Sequence, residues 1–340
     1  MRPLSNAKEV GRFSDLRGDD LLVVSESFEA RCVGLSDRLM SAGAGYVASR
    51  LAVIRYGDKG NRRVRERVRR HAAALRHATQ ALCPEDARTD YELDGHAVLT
   101  ANKVFSDLLK SVADGGSVTV DISTLTKLHV LYLTRAALRE VPRLKRVIFA
   151  YTRARYNSRD SLTEGAAEPI VAPLFGSPRL GDGRSFLVLF AGLEPQRSFS
   201  VWRYYGQEGG LCVFVDSGPT DIDRCASRAK RMHRFLASEA AWADTTIPAF
   251  SPTSVVELLS ATLAQCDAMG QHMFVAPLTT KWESAGVAEF FVRHPEAEGS
   301  VVYAAPGVYD VDAHHAQFRG DVMVSLVTED GIADPLTLQM

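Results

Sequence analysis

Short, unbroken apolar runs alternate with longer helix-like stretches along this chain, and the alternation happens twice. In the first round the runs are Leu21–Ser25, Ala52–Tyr56, Ser117–Ile122 and Arg146–Ala150, with a more polar one at Thr89–Leu93. Helix periodicity covers Arg62–Leu82, His96–Val112 and Lys127–Glu140. The strand runs are continuous rather than alternating, as expected of a parallel sheet covered on both faces. Strands and helices taken in turn predict βαβ units and a doubly wound sheet.

Residues 158–184 interrupt the pattern with Gly, Pro, Ser and charge, and read as a linker. The alternation then restarts, with strands at Ser185–Ala191, Leu211–Asp216, His272–Ala276 and Ser300–Ala305 and helices at Asp221–Ala240, Ser254–Met269 and Lys281–His294. A last strand is expected at Val322–Thr328, on a sheet edge. The 340 residues suit two domains at roughly 150 residues each. The expectation is an α/β protein of two tandem Rossmann-like, doubly wound parallel-sheet halves: 1–157 and 185–340, joined by 158–184.

The two halves match at several points, which suggests an internal duplication. The first strand of each leads into an apolar residue, a glutamate and an arginine: Phe28, Glu29 and Arg31 in one, Leu193, Glu194 and Arg197 in the other. Later, Asp121-Ile122-Ser123-Thr124-Leu125-Thr126-Lys127 answers to Ala276-Pro277-Leu278-Thr279-Thr280-Lys281, each a strand end running into Thr-Lys at a helix start. Lys127 lies 12 residues before Arg139 and 20 before Val147; Lys281 lies 12 before Arg293 and 20 before Val301.

Ligands of open α/β sheets bind beyond the carboxyl ends of the strands, where the matched residues fall. Ser123, Thr124 and Thr126, and in the second copy Thr279 and Thr280, stand where a helix begins. Hydroxyls there cap free N–H groups, and the positive end of the helix favours an anion. Lys127 and Lys281 add a charge in the first turn. Capping alone is the plainer use of those hydroxyls. Glu29 with Arg31, and Glu194 with Arg197, are candidates for a ribose hydroxyl and a phosphate; a salt bridge bracing the turn is the other reading. Asp121, Glu29 and Glu194 are the carboxylates available for acid–base work.

Other chemistries lack their motifs. No G-x-G-x-x-G follows Leu21–Ser25 or Ser185–Ala191, and no GxxxxGK[ST] occurs, so neither a nicotinamide cofactor nor P-loop ATP hydrolysis is indicated and no cofactor is assigned. There is no HExxH and no G-x-S-x-G. The cluster Asp310, Asp312, His314 and His315 reads as a polar loop, and no metal is assigned. Five scattered cysteines without a CxxC pair, and a polar start without an apolar signal core, fit a reduced cytoplasmic protein with no membrane segment. Net charge is −1, so no global field draws nucleic acid. The one strongly basic element, with Arg62, Arg63, Arg65, Arg67, Arg69 and Arg70, offers nucleic-acid contact as the less favoured reading against a solvated outer face.

The run Val118-Thr119-Val120-Asp121-Ile122-Ser123-Thr124-Leu125-Thr126-Lys127 resembles the ligand-binding turn of CRISPR-associated Rossmann-fold (CARF-like) sensor domains. In that family a strand ends in a small-residue Thr-Lys turn opening the next helix. The resemblance implies a cyclic or linear oligonucleotide messenger as ligand, an effector switched by it, and Ser123, Thr124, Thr126 and Lys127 as the turn. Thr124 and Leu125 stand where the family carries paired glycines.

Three readings follow. The first is a sensing module that binds a nucleotide-type ligand at the strand ends and passes its output to a protein partner. The second is a nucleotide- or sugar-phosphate-processing enzyme, a hydrolase or a glycosyl or phosphoribosyl transferase. The third is a scaffold subunit of a larger complex, anchored by the basic helix and by aromatics such as Trp202, Tyr204, Tyr205, Trp242 and Trp282.

Overall fold

The computed structural model describes residues 16, 18–42, 45–56, 62–93, 98–156, 163–166, 168–176, 185–192, 194–206, 211–217, 234, 243–248, 250–309 and 316–338. The chain divides into two compact units, 1–155 with 316–340, and 156–315.

The first unit is built on β1 (Leu21–Ser25), β2 (Leu51–Tyr56), β3 (Arg88–Leu93), β4 (Ser117–Asp121) and β5 (Arg146–Tyr156). They lie in the order β3-β2-β1-β4-β5, all parallel. Register pairs Val23 with Ala52 on one side and with Val120 on the other. The helices are α1 (Gly34–Ser41), α2 (Arg62–Gln80), α3 (Val98–Lys110) and α4 (Lys127–Glu140). Every residue of β1 is buried, as its LLVVS sequence requires of a central strand. β3 reads RTDYEL and is exposed at several positions, which suits the margin of the parallel run.

The second unit repeats the order. Strands β6 (Ser185–Phe190), β7 (Leu211–Ser217), β8 (Ala243–Ile247), β9 (His272–Pro277) and β10 (Gly299–Tyr303) lie as β8-β7-β6-β9-β10, again parallel. Ile170–Val171 pairs antiparallel to β10 at the margin. Described helices are α5 (Pro195–Tyr205), α6 (Pro252–Met269) and α7 (Lys281–Arg293). α7 is buried from Lys281 to Phe291. Gly286 lets α6 come close: a Cβ there would lie 2.7 Å from the Pro252 carbonyl oxygen and 2.8 Å from the Val255 Cβ.

Both sheets thus have their first strand in the middle, with the chain winding out to one side and returning to the other. That makes the fold α/β and doubly wound, with a topological switch point between β1 and β4 and another between β6 and β9. The shared order is common to doubly wound folds and is a likeness of topology.

The C-terminal strand differs from its expected place. β11 (Ala316–Thr328) lies next to β5 in the first unit's sheet and carries Gly331–Ile332 and Leu336–Thr337 antiparallel beside it. The first unit therefore includes 316–340, which the sequence reading had assigned to the second half. Val322, Val324 and Leu338 join the core of Leu22, Val24 and Ile148. The apolar run announces a strand but not which sheet it completes. The expected helix Asp221–Ala240 falls almost wholly outside the described residues, as do Asp310, Asp312, His314, His315 and Trp242. Among the described residues no helix is long and apolar enough to cross a membrane.

Candidate functional site

At the first switch point two turns meet, one leaving β1 and one leaving β4. The hydroxyls of Ser25 and Thr124 lie 2.5 Å apart across the gap. Asp121, at the end of β4, accepts from the Ser123 amide at 2.9 Å and from the Ser123 hydroxyl. The Thr152 amide on β5 donates to the Ser123 oxygen at 2.7 Å. Asp121 and Ser123 are both buried, so this network ties β4 to β5 from within.

Thr126 is the N-cap of α4: its extended backbone (φ −67°, ψ 155°) ends the turn, and its Oγ1 accepts from the His129 amide at 3.1 Å. Lys127 follows as the first helical residue, half-buried. Such a cap contributes about 1 kcal/mol. Two neighbours that the sequence reading did not single out complete this end. Tyr56, the last residue of β2, reaches across the carboxyl end of the sheet, and its hydroxyl accepts from the Thr126 amide at 3.2 Å. The same hydroxyl lies 2.8 Å from His129 Nδ1, with the two rings stacked at 5.3 Å. His129 is fully buried. An aromatic closing the strand beside the switch was the available signal for Tyr56; the helical pattern offered none for His129.

After β1 the chain makes a 3₁₀ turn, Ala30–Val33, that carries Arg31 inward. Arg31 Nε donates to Glu29 Oε2 at 2.6 Å and Nη2 to Oε1 at 3.2 Å. Nη1 donates to the Tyr151 hydroxyl at 3.2 Å, and the guanidinium lies 5.5 Å from the Tyr151 ring centre. His71 of α2 meets the same turn through Nδ1, 3.2 Å from the Ser27 carbonyl. Burial is the main cause lowering the His71 pKa, with Arg70 and Arg67 adding to it. Cys32, beside Arg31, is fully buried, and burial followed by the charge of Asp121 pushes its thiol up to about 12.

The second switch point repeats the arrangement. Thr280 caps α7 in a capping box: its Oγ1 accepts from the Glu283 amide at 3.2 Å, and the Glu283 carboxylate accepts from the Thr280 amide at 2.8 Å. Lys281 again opens the helix, here buried. Thr279 stands half-buried just before the cap. Glu194 precedes α5, whose Pro195 fits the first helical position because its missing N–H has no partner to lose there. Arg197 Nη1 donates to Glu194 Oε2 at 2.8 Å and Nε to the Ala304 carbonyl at 2.7 Å, and its guanidinium lies 5.2 Å from the Tyr303 ring centre. Gly192 allows the turns after β6 and β9 to touch, since a Cβ there would lie 2.2 Å from the Leu278 carbonyl oxygen.

Each unit therefore brings the same parts to the carboxyl side of its switch: a Thr-capped, Lys-led helix after the fourth strand, and a Glu–Arg pair after the first strand seated against a tyrosine of the fifth. The glutamates and arginines face each other, so the turn-bracing salt bridge is the arrangement present in both. Among the described residues no group of three His, Cys, Asp or Glu is placed to hold a metal ion.

No family model matches the sequence, and no curated protein matches it. Among solved structures, a type III CRISPR defence DNA nuclease activated by cyclic oligoadenylate aligns with 93% of this chain and 67% of its own, at 8% identity and a TM-score of 0.47. A universal stress protein from Archaeoglobus fulgidus covers 86% of this chain and 98% of its own, at 10% identity and a TM-score of 0.24. A putative universal stress protein from Pseudomonas aeruginosa covers 89% and 97%, at 11% identity and a TM-score of 0.25.

Proposed function

We propose that this protein is a cytoplasmic, non-catalytic sensing module that binds a phosphate-bearing, nucleotide-type ligand at the carboxyl ends of β1 and β4, of β6 and β9, or of both pairs, and signals through a protein partner. The observation that carries the reading is the repetition just described: at equivalent topological points, both sheets end in a threonine-capped helix opened by a lysine. Helix starts at a switch point favour anions through their amides and their dipole, and the adjoining ammonium group adds to that field. The proposal takes the halves as copies of one ancestral unit.

The carboxylates argue for binding over turnover. A general base needs a lone pair directed at substrate. Glu29 and Glu194 are instead held against Arg31 and Arg197, and Asp121 accepts from Ser123. The enzyme reading loses its main support with them.

Thermal unfolding in the presence of mononucleotides, cyclic oligonucleotides and linear oligonucleotides tests the proposal. A ligand at 100 times its Kd stabilises by about 2.7 kcal/mol, enough for a clear shift in Tm. Lys127→Gln and Lys281→Gln separate the two sites: each variant is expected to lose the shift that its own helix supplies. Absence of any shift with millimolar nucleotides of all three kinds would overturn the reading.

A further inference from the structure

α2 breaks a local rule. Its nineteen residues, RRVRERVRRHAAALRHATQ, carry seven arginines, no lysine and one acid. The helix therefore holds a formal charge of +6 (seven minus one), and the remainder of the chain −7 (−1 minus +6). Three of the arginines, Arg62, Arg63 and Arg65, sit in the first turn, which has no acidic residue. That is the positive end of the helix, where cations are disfavoured and acids belong. Places where a sequence departs from local consistency are where function is expected.

Burial does not account for the departure, although Arg63, Arg65 and Arg67 also make contacts within the chain. The buried residues of α2 are Leu75, Ala78 and Thr79, all in its C-terminal half, and none of residues 62–74 is buried. The Arg62 side chain is 87% exposed even with Glu66 paired to it at 2.7 Å. With 3.6 residues per turn, Arg63, Arg67 and Arg70 fall in one row and Arg62, Arg69 and Arg76 in another, one on each side of the outward line through Glu66 and Ala73. The second row is about 21 Å long.

We propose that these two rows form a docking surface for the phosphate backbone of a nucleic-acid duplex. Arginine rather than lysine suits bidentate contact with phosphate. The helix contains no Phe, Tyr or Trp, so it lacks the stacking platforms by which proteins hold single strands. A duplex offers its phosphates in fixed rows and needs no base contact. None of the residues of this surface belongs to the ligand sites proposed above, although His71 of the same helix meets the turn after β1.

The experiment is fluorescence anisotropy of the full-length protein with a labelled 20-base-pair duplex, titrated between 50 and 200 mM salt. About four phosphate contacts give a loss of affinity of about 150-fold across that range. Replacing Arg63, Arg67 and Arg70 together by Gln should lower the slope of log K against log salt by about 2.7 and weaken binding without regard to base sequence. The same variant should hold its Tm to within a few degrees, since none of the three side chains is buried and the loss of Arg63 relieves the positive end of the helix. Should it unfold instead, the corresponding three-Lys variant, which keeps the charge, is expected to retain salt-dependent binding. Binding that ignores salt, Gln and wild-type proteins that bind alike, or tighter capture of a single strand or of polyglutamate would each overturn the proposal.

Discussion

Arg31→Met is the sharpest probe of the turn after β1. The arginine is 4% exposed and Glu29, its partner at 2.6 Å, has a side chain only 11% exposed. Methionine fills much of the same volume but removes the counter-charge and the two donors that Arg31 gives the carboxylate. Breaking a buried pair by removing one partner costs about 3–5 kcal/mol. The residual exposure of Glu29 sets the expectation near the lower end, about 3 kcal/mol, and that figure includes the lost bond from Nη1 to the Tyr151 hydroxyl. Glu29→Gln, which takes the counter-charge from the buried guanidinium while Tyr151 still accepts from it, should cost a similar amount. Removing both charges together should cost only about 1 kcal/mol, because no buried charge remains. Urea unfolding of the four proteins, followed by circular dichroism, closes the cycle, with the transition of the first unit read separately if two are seen. Single losses below about 1 kcal/mol that add in the double variant are what an exposed surface pair would give, and they would refute the reasoning.

Two further outcomes are expected. Burial pushes the thiols of Cys32 and Cys266 up to about 12, above the ordinary thiol value that they regain on unfolding. Their contribution is therefore complete below about pH 9 and is lost as pH rises toward 12, by about 1.4 kcal/mol per pH unit for each thiol. Urea midpoints at pH 8, 9 and 10 should fall less steeply in Cys32→Ala, and an unchanged slope would rule the linkage out. Gly286→Ala sets a gain in helix propensity of about 1 kcal/mol against a clash with the Pro252 backbone worth about 1–3 kcal/mol. A lowered Tm is expected, and a raised one would mean that α6 moves aside freely.

Much of the fold could be read before the structure because β1 and β6 are unbroken apolar runs, LLVVS and SFLVLF, whose only comfortable place is the middle of a covered sheet. α4 begins at Lys127, as the Thr-Lys pattern implied, since a cap is a local device written in adjacent residues. β8 was missed: ADTTI carries little apolar signal, and its strand character comes from pairing with β7. At the site, the caps and the Glu–Arg pairs were legible from spacing. The seats of those arginines were not, because Tyr151 lies 120 positions from Arg31 and Ala304 lies 107 from Arg197. Tyr56 and His129 meet across 73 positions for the same reason. Contacts of that range are set by sheet order, which no single stretch of sequence specifies.

The return of β11 to the first sheet has a consequence for biosynthesis. Between Arg155 and Ala316 the ribosome must make 160 other residues (156 to 315) before the strand beside β5 exists. At 5–20 residues per second that interval is on the order of ten to thirty seconds. Throughout it the nascent sheet carries an unprotected flank that includes Val147, Ile148 and Phe149, all buried in the finished protein. Transiently exposed apolar surface and unpaired strand edges favour aggregation, and premature termination anywhere in the second unit releases a first unit that lacks the strand beside β5.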